Sequence, residues 1–158
     1  IGSPIEAETI ILERDLQLVR LTGARYHAAH LTTAVSVDAV RRAKNEGLPV
    51  TADTSAPYFQ LNELAISTYS SAAKLNPPLR TEDDRQAIVA ALADGTIDVI
   101  ASDHVPVNPD MKHLPFSLAS CGASGLEVML VMTLRLVLDE VISWQRAFEL
   151  LSLAPATI

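Results

Sequence analysis

Cysteine is nearly absent from this chain of 158 residues, because Cys121 is the single one and no internal disulfide can form. A protein without a disulfide framework suits a reducing compartment, and we expect a cytoplasmic location. Basic residues are also few, with 12 Lys and Arg against 19 Asp and Glu and a net charge of −7. This balance repels phosphate groups, so we expect no binding to nucleic acid or to an anionic membrane.

The sequence also lacks a hydrophobic run long enough to cross a bilayer. Its longest apolar stretch, Leu126 to Val137, contains Glu127 and Arg135 and falls short of the roughly 20 residues that a spanning helix needs. The first residues are neither Met nor a signal-peptide pattern, and we expect the chain to be part of a longer protein. Hydrophobic residues still make up 49% of it. This predicts one packed domain over residues 1–158, with some surface that meets a partner.

Helical and extended patterns alternate along the chain. Apolar residues recur at helical spacing over residues 4–22, 33–46, 81–94, 126–137 and 143–153, and strand-like runs fall at 25–31, 49–53 and 97–101. We expect Ser3 to cap the first helix, with Pro4 in its first position. The alternation predicts parallel βα units in an α/β fold. About three units are too few to close a barrel, so we interpret them as part of a larger TIM-type (β/α)8 barrel.

One predicted strand ends in an acid. The run Ile97–Ala101 is followed by Ser102, Asp103 and His104. A carboxylate at the C-terminal end of a barrel strand lies at the face where such folds keep their active sites, so Asp103 is a candidate catalytic residue. The alternative is that Asp103 and His104 only cap the strand and open a turn toward Pro106.

His30 ends another predicted strand, and the ends of barrel strands converge on one mouth. His30 and Asp103 are therefore the pair best placed for shared chemistry, although a lone strand-end histidine can also be structural. His27 lies three residues before His30, and on a strand this odd offset sends the two side chains to opposite faces. Catalytic zinc takes three protein ligands and a water, so this chain offers too few ligands by itself.

Five segments together carry a resemblance to a known family. Their order and spacing resemble those of dihydroorotases of the class I type, in the amidohydrolase superfamily, over nearly the whole chain. The segments are His30–Thr33, Asn76–Arg80, Asp94–His104, the stretch from Lys112 to Phe116, and Gly125–Glu127. The resemblance implies the C-terminal half of a metal-dependent hydrolase barrel.

The resemblance also implies an activity. Dihydroorotases use zinc to hydrolyse the ring amide of dihydroorotate reversibly to N-carbamoyl-L-aspartate in pyrimidine biosynthesis. It implies that His30 is a metal ligand and that Asp103 is both a metal ligand and the acid–base group. It further implies that Asn76 hydrogen-bonds the substrate and that backbone groups around Cys121 and Gly122 orient the substrate's ring. Without the neighbouring motifs, Asn76 and Gly122 would be ordinary turn residues.

The sequence departs from the family pattern at several places. The ligands that the family supplies from earlier strands are not in this chain, and Val107 stands where the family commonly has a substrate-contacting histidine. We therefore expect this chain to be inactive alone. Three readings of the parent protein stay open. It is a dihydroorotase acting on a small molecule, a non-catalytic subunit that supports aspartate carbamoyltransferase, or another cyclic amidohydrolase such as an allantoinase or hydantoinase. We expect a homo-oligomer.

Overall fold

The computed structural model describes residues 3–158, and helices surround a short sheet. The strands are β1 (Tyr26–Ala28), β2 (Val50–Ser55) and β3 (Val99–Ala101). The longer helices are α1 (Ile5–Thr22), α2 (Ala34–Asn45), α4 (Glu82–Asp94) and α6 (Leu126–Leu138). Shorter ones are α3 (Ala56–Gln60), α5 (Pro109–Lys112) and α7 (Trp144–Phe148), and α7 continues as a π-helical turn over Glu149–Leu153.

The sheet is parallel with the order β1, β2, β3. His27 is paired with Thr51 across the first ladder, and Asp53 is paired with Val99 across the second. Each step from one strand to the next passes through a helix, as parallel pairing requires. This confirms the predicted α/β class and its parallel βα units. All three strands therefore end at the same edge of the sheet.

The helix ends follow from local chemistry. Thr81 and Asp84 form a capping box at the start of α4, in which each side chain accepts a hydrogen bond from the other residue's backbone N–H. Thr33 caps α2 by accepting from Ser36 N. The prediction for α1 was wrong in detail, because the helix begins at Ile5, its N-cap is Pro4, and no side chain caps it.

Three other boundaries differ from the sequence prediction. Strand β1 ends at Ala28 rather than near residue 31 because His30 takes a left-handed backbone conformation that a strand cannot continue. Strand β2 runs on to Ser55 instead of stopping at residue 53. The connection after β2 is not a plain loop, since it contains α3 and two turns of 3-10 helix at Glu63–Ile66 and Ser71–Ala73.

The main core lies between the sheet and helices α1, α2, α4 and α6. Its largest fully buried side chains are those of Phe59, Leu16, Ile88, Leu92, Ile97 and Leu150. Arg146 fastens the last helix to this core, since its guanidinium donates to the carbonyl oxygens of Leu92 and Ile97 at 3.0 and 2.7 Å. A second, smaller cluster around Tyr58, Leu75 and Leu79 lies under the connection after β2.

Several large apolar side chains remain exposed. Most of those near the C-terminus lie on α6, on α7 and just after it: Leu126, Leu130, Val131, Leu138, Trp144, Phe148 and Leu153. Despite this apolar surface, no helix within residues 3–158 is both long and apolar enough to cross a membrane. Exposed apolar side chains concentrated on neighbouring helices are typical of a surface that packs against other protein.

Substitution of Leu16 measures how much the main core contributes to the free energy of unfolding. Leu16 is completely buried on α1, whereas Leu21 on the same helix is 81% exposed. We expect Leu16→Ala to lower the free energy of unfolding by about 2–5 kcal/mol because it leaves a cavity. Leu21→Ala should change it by less than about 0.5 kcal/mol. Urea unfolding followed by circular dichroism measures both, and equal effects would contradict this account of the core.

Candidate functional site

Three polar side chains meet where the strands end. His30 follows β1, Asp53 lies within β2 and Asp103 follows β3. The Nε2 atom of His30 lies 4.0 Å from Oδ1 of Asp103. The structure therefore brings together the two residues that the sequence singled out as a pair. We refer to His30, Asp53 and Asp103 as the strand-end group.

Asp53 is the residue of this group that the sequence prediction missed. Its side chain is 8% exposed, and Oδ1 accepts a hydrogen bond from the backbone N–H of His30 at 2.8 Å. Oδ2 lies 2.8 Å from Nε2 of His27, and Oδ1 lies 3.0 Å from Nδ1 of His30. The sequence did contain a signal for Asp53, because it is an acid within a strand of mostly small or β-branched residues. A buried carboxylate needs hydrogen-bond partners, so such an acid indicates a polar contact.

The expectation that His27 and His30 lie on opposite faces was wrong. Both rings reach the same carboxylate of Asp53. The parity argument assumed one continuous strand through both residues, but β1 ends at Ala28 and the chain turns at His30, where φ is 57°. That turn brings the His30 ring back to the side on which His27 already lies.

The electrostatics of the strand-end group follow from these contacts. Contact with the Asp53 carboxylate raises the pKa of His30, against the opposing effect of burial. Burial alone would raise the pKa of Asp53, but the donors on His30 and His27 together hold it below its ordinary value. At neutral pH Asp53 is therefore ionised and acts as a hydrogen-bond acceptor.

Both residues that the sequence proposed as metal ligands have left-handed backbones. φ is 57° at His30 and 42° at Asp103, and within residues 3–158 the other non-glycine residues with positive φ are Tyr69 and Glu140. For an L-residue this conformation costs roughly 1–2 kcal/mol. Such strain persists only where surrounding contacts enforce it, and it concentrates at functional sites.

A buried polar network enforces the turn after β1. The Glu8 carboxylate accepts hydrogen bonds from the backbone N–H and the hydroxyl of Thr32, and from the hydroxyl of Thr33. Arg80 donates to the Thr32 hydroxyl and lies 3.9 Å from Glu8. Glu8 on α1 and Arg80 in the segment before α4 therefore hold Thr32 and Thr33, which follow His30 after one intervening residue.

Close backbone contact enforces the turn after β3. A Cβ placed on Gly125 would lie 1.8 Å from the carbonyl oxygen of Ser102, and one on Gly122 would lie 2.6 Å from that of Val105. Gly122 also has a φ of 127°, which only glycine adopts readily. The backbone from Ser102 to Val105 thus lies directly against residues 122–125. These contacts lie on both sides of Asp103 in the sequence and fix its backbone.

The predicted substrate-binding residues lie at a different place. Asn76 and Cys121 line one cavity of about 190 Å³ together with Lys74, Pro78 and Phe116. Gly122 lies beside it and donates its N–H to the carbonyl oxygen of Lys74 at 3.0 Å. The structure therefore groups these three residues, but the volume is below the roughly 300 Å³ at which small-molecule pockets begin.

Lysine side chains join the walls of this cavity. Lys74 donates to the carbonyl oxygens of Phe116 and Ala119, both at 2.7 Å. Lys112 donates to those of Ser71 and Lys74, and burial lowers the pKa of Lys112. These bonds fasten the loop after β3 to the connection that follows β2.

Tyr58 supports the segment that carries Asn76. It is buried, and its hydroxyl donates to the carbonyl oxygen of Pro77 at 2.9 Å, next to Asn76. Burial raises the pKa of Tyr58, and the negative charge of Asp103 raises it further. Tyr58 thus binds the segment that carries Asn76 and lies near enough to Asp103 to be influenced by its charge, and the sequence prediction did not identify this residue.

His30 and Asp103 fit a metal ion as two of its ligands. Zinc bonds to nitrogen and to oxygen are each near 2.1 Å, and at a tetrahedral ion two ligand atoms lie about 3.4 Å apart. The 4.0 Å between Nε2 and Oδ1 is somewhat longer, so the two side chains would move slightly closer to share one ion. Residues 3–158 contain no group of three or more His, Cys, Asp or Glu side chains arranged to hold an ion.

Solved structures identify the class to which this fold belongs. A D-hydantoinase aligns with 97% of this chain at 27% identity and a TM-score of 0.88, and 35% of that protein is covered. The L-hydantoinase of Arthrobacter aurescens aligns with 98% of the chain at 26% identity and a TM-score of 0.92, again over 35% of that protein. The chain has the fold of part of a TIM-barrel amidohydrolase.

Sequence comparison finds similarity to dihydroorotases, although no protein-family model matches the chain. A dihydroorotase of Desulfotalea psychrophila is 50% identical over 157 residues, and one of Syntrophotalea carbinolica is 47% identical over 155 residues. These matches cover 99% and 98% of this chain, which spans only 37% and 36% of the relatives' own lengths. The chain is therefore similar to these dihydroorotases over nearly its whole length and corresponds to about a third of theirs.

Gly125 tests the backbone contact that holds Asp103. We expect Gly125→Ala to lower the free energy of unfolding by about 3 kcal/mol or more, because the new methyl group collides with a carbonyl oxygen and the backbone must shift. Gly47→Ala is the control, since its Cβ meets nothing within 4 Å and only the positive φ opposes it; we expect a loss of roughly 1–2 kcal/mol. Urea unfolding compares them, and equal losses would contradict the contact.

Glu8 tests the network that holds the His30 turn. Glu8→Ala leaves the buried donors of Thr32 and Thr33 without their acceptor, and we expect it to cost about 1–3 kcal/mol of unfolding free energy. Glu13→Ala on the same helix removes an exposed pair with Arg42 and should cost less than about 0.5 kcal/mol. The midpoints of thermal unfolding report both. A Glu8 variant as stable as the Glu13 variant would show that the network is not stabilising.

Proposed function

We propose that the protein containing this chain is a dihydroorotase, which reversibly hydrolyses the ring amide of dihydroorotate to N-carbamoyl-L-aspartate. The observation that carries the proposal is 42–50% identity to dihydroorotases over nearly the whole chain. The convergence of His30 and Asp103 at one edge of the sheet supports it, because both occupy positions suited to metal-assisted hydrolysis.

The strand-end group supplies the chemistry in this proposal. His30 through Nε2 and Asp103 through its carboxylate would be two ligands of zinc. When bound, zinc lowers the pKa of water to near 7 and polarises the substrate carbonyl. Asp103 accepts the proton from the attacking water and delivers it to the departing ring nitrogen. Its side chain is mostly buried, and a carboxylate in such a position is a competent proton carrier.

The cavity residues supply substrate contacts. Asn76 carries both hydrogen-bond donors and acceptors, which suits the amide groups of a dihydropyrimidine ring. Backbone groups of Cys121 and Gly122 lie beside it and would fix the orientation of the ring. Tyr58 donates its hydroxyl proton to the carbonyl oxygen of Pro77 and would hold the Asn76 segment in place.

The remaining parts of the proposal concern the whole protein. The reaction belongs to pyrimidine biosynthesis, and the absence of a disulfide framework suits the cytoplasm. The exposed apolar side chains of α6 and α7 suit a homo-oligomer or a contact with aspartate carbamoyltransferase. The isolated 158-residue chain should be inactive, because residues 3–158 offer His30 and Asp103 but no third ligand with them.

Asp103→Asn tests the proposal in the polypeptide of the complete reading frame. We expect the unsubstituted protein to bind zinc and to hydrolyse dihydroorotate. The variant should lose a factor of about 10²–10⁴ in kcat, since an amide can neither accept nor return the proton. Asp139→Asn, at the exposed end of α6, is the control and should retain full activity. Zinc analysis and a dihydroorotate assay in both directions provide the measurements.

The other outcomes point to specific alternatives. Turnover of hydantoin or allantoin without turnover of dihydroorotate would replace the proposal by a related cyclic amidohydrolase. Absence of both zinc and turnover, together with co-elution with aspartate carbamoyltransferase in gel filtration, would replace it by a non-catalytic subunit. Val107 stands where the family commonly has a histidine, and this difference is the reason for considering a non-catalytic subunit.

A further inference from the structure

We propose that Asp53 is a positioning residue that holds His27 and His30 in opposite tautomers and thereby keeps the Nε2 lone pair of His30 free toward Asp103. The two rings contact different oxygens of one carboxylate and use different ring nitrogens to do so. The residues involved are the strand-end group and its two neighbours, His27 and Thr51.

The tautomer of His30 follows from what surrounds Nδ1. This atom is buried, makes no well-aligned hydrogen bond within residues 3–158, and lies 3.0 Å from Oδ1 of Asp53. An ionised carboxylate only accepts hydrogen bonds. An unprotonated Nδ1 would face that oxygen lone pair to lone pair at 3.0 Å, whereas Nε2 lies 4.0 Å from Asp103, beyond hydrogen-bond distance. The proton of the neutral ring therefore belongs on Nδ1. Nε2 is then unprotonated, and it faces Asp103.

The tautomer of His27 follows from the same rule applied to the other nitrogen. Its Nε2 lies 2.8 Å from Oδ2 of Asp53, and its Nδ1 lies 2.8 Å from the hydroxyl oxygen of Thr51. The carboxylate can only accept, whereas a hydroxyl can donate. The proton of the neutral ring therefore belongs on Nε2, and Thr51 donates its hydroxyl proton to Nδ1.

Asp53 is suited to this role because its own position is fixed. It lies within a strand paired on both sides, and the backbone N–H of His30 donates to Oδ1 at 2.8 Å. The turn that carries His30 is therefore bound to the same carboxylate that orients the ring. A carboxylate that binds the distal nitrogen of a metal-ligating histidine fixes both tautomer and ring direction.

Nitrogen NMR of the metal-free polypeptide of the complete reading frame tests the tautomers directly. Histidine is labelled with ¹⁵N, spectra are recorded at a pH where both rings are neutral, and signals are assigned with His27→Gln and His30→Gln variants. We expect the ring proton of His30 on Nδ1 and that of His27 on Nε2. The same tautomer in both rings, or a mixture in His30, would overturn the proposal, and no variant of Asp53 needs to fold for this result.

Zinc titration of Asp53→Asn tests the consequence for the ligand. The metal part of the inference rests on the proposed function, whereas the tautomers do not. We expect the zinc dissociation constant to rise about 10- to 100-fold, as is typical when such a partner is lost, and the His30 signal to become a mixture. Asp98→Asn is the matched control, because Asp98 binds Lys44 and the N–H of Ala52, away from the strand ends. Its zinc affinity should be unchanged.

The outcomes separate the two proposals. Opposite tautomers with unchanged zinc affinity in Asp53→Asn would overturn the positioning role, since the ligand would not depend on Asp53. Equal losses in the Asp53 and Asp98 variants would also overturn it, because they would indicate general destabilisation. Neither measurement uses dihydroorotate, so a protein without dihydroorotase activity would overturn the proposed function and leave the tautomer result standing.

Discussion

The contact between the Asp53 carboxylate and the turn at His30 is the interaction on which the edge of the sheet depends. A buried ionised carboxylate is costly unless hydrogen bonds replace its water. The His27 ring and the His30 backbone N–H supply these hydrogen bonds, and the His30 ring lies in contact with the same carboxylate at 3.0 Å. The same contacts hold His30 in a left-handed conformation that its own side chain disfavours. Satisfying one buried charge therefore also sets the direction of the candidate metal ligand.

The turn after the third strand, at Asp103, is held by a different kind of contact. At Asp103 the left-handed conformation is accompanied by close backbone packing. The backbone after β3 instead lies so close to residues 122–125 that side chains at Gly122 and Gly125 would collide with it. Steric contact between two loops replaces the electrostatic contact used at His30. Because the first residues of α6 follow directly, the orientation of Asp103 is coupled to the packing of that helix.

The cavity lined by Asn76 and Cys121 is separate from the strand-end group in this chain, and Tyr58 donates a hydrogen bond to the segment that carries Asn76. Its ring belongs to the small apolar cluster with Leu75 and Leu79, which supports the segment that carries Asn76. Lys74 and Lys112 then hold the facing loop by donating to backbone carbonyl oxygens. These lysine side chains stabilise irregular backbone by donating hydrogen bonds to its carbonyl oxygens. No sequence pattern indicates this use.

The sequence by itself determined the fold class, the order of the elements and the candidate pair, because each of these rests on local information. Apolar spacing distinguishes helix from strand, and a parallel order makes strand ends such as His30 and Asp103 converge. Only the tertiary structure decided that Asp53 lies between His27 and His30. That arrangement depends on where β1 stops, and the stop is imposed by contacts from Glu8, Arg80 and Asp53, which are distant in sequence. Strand parity fails where such contacts turn the backbone.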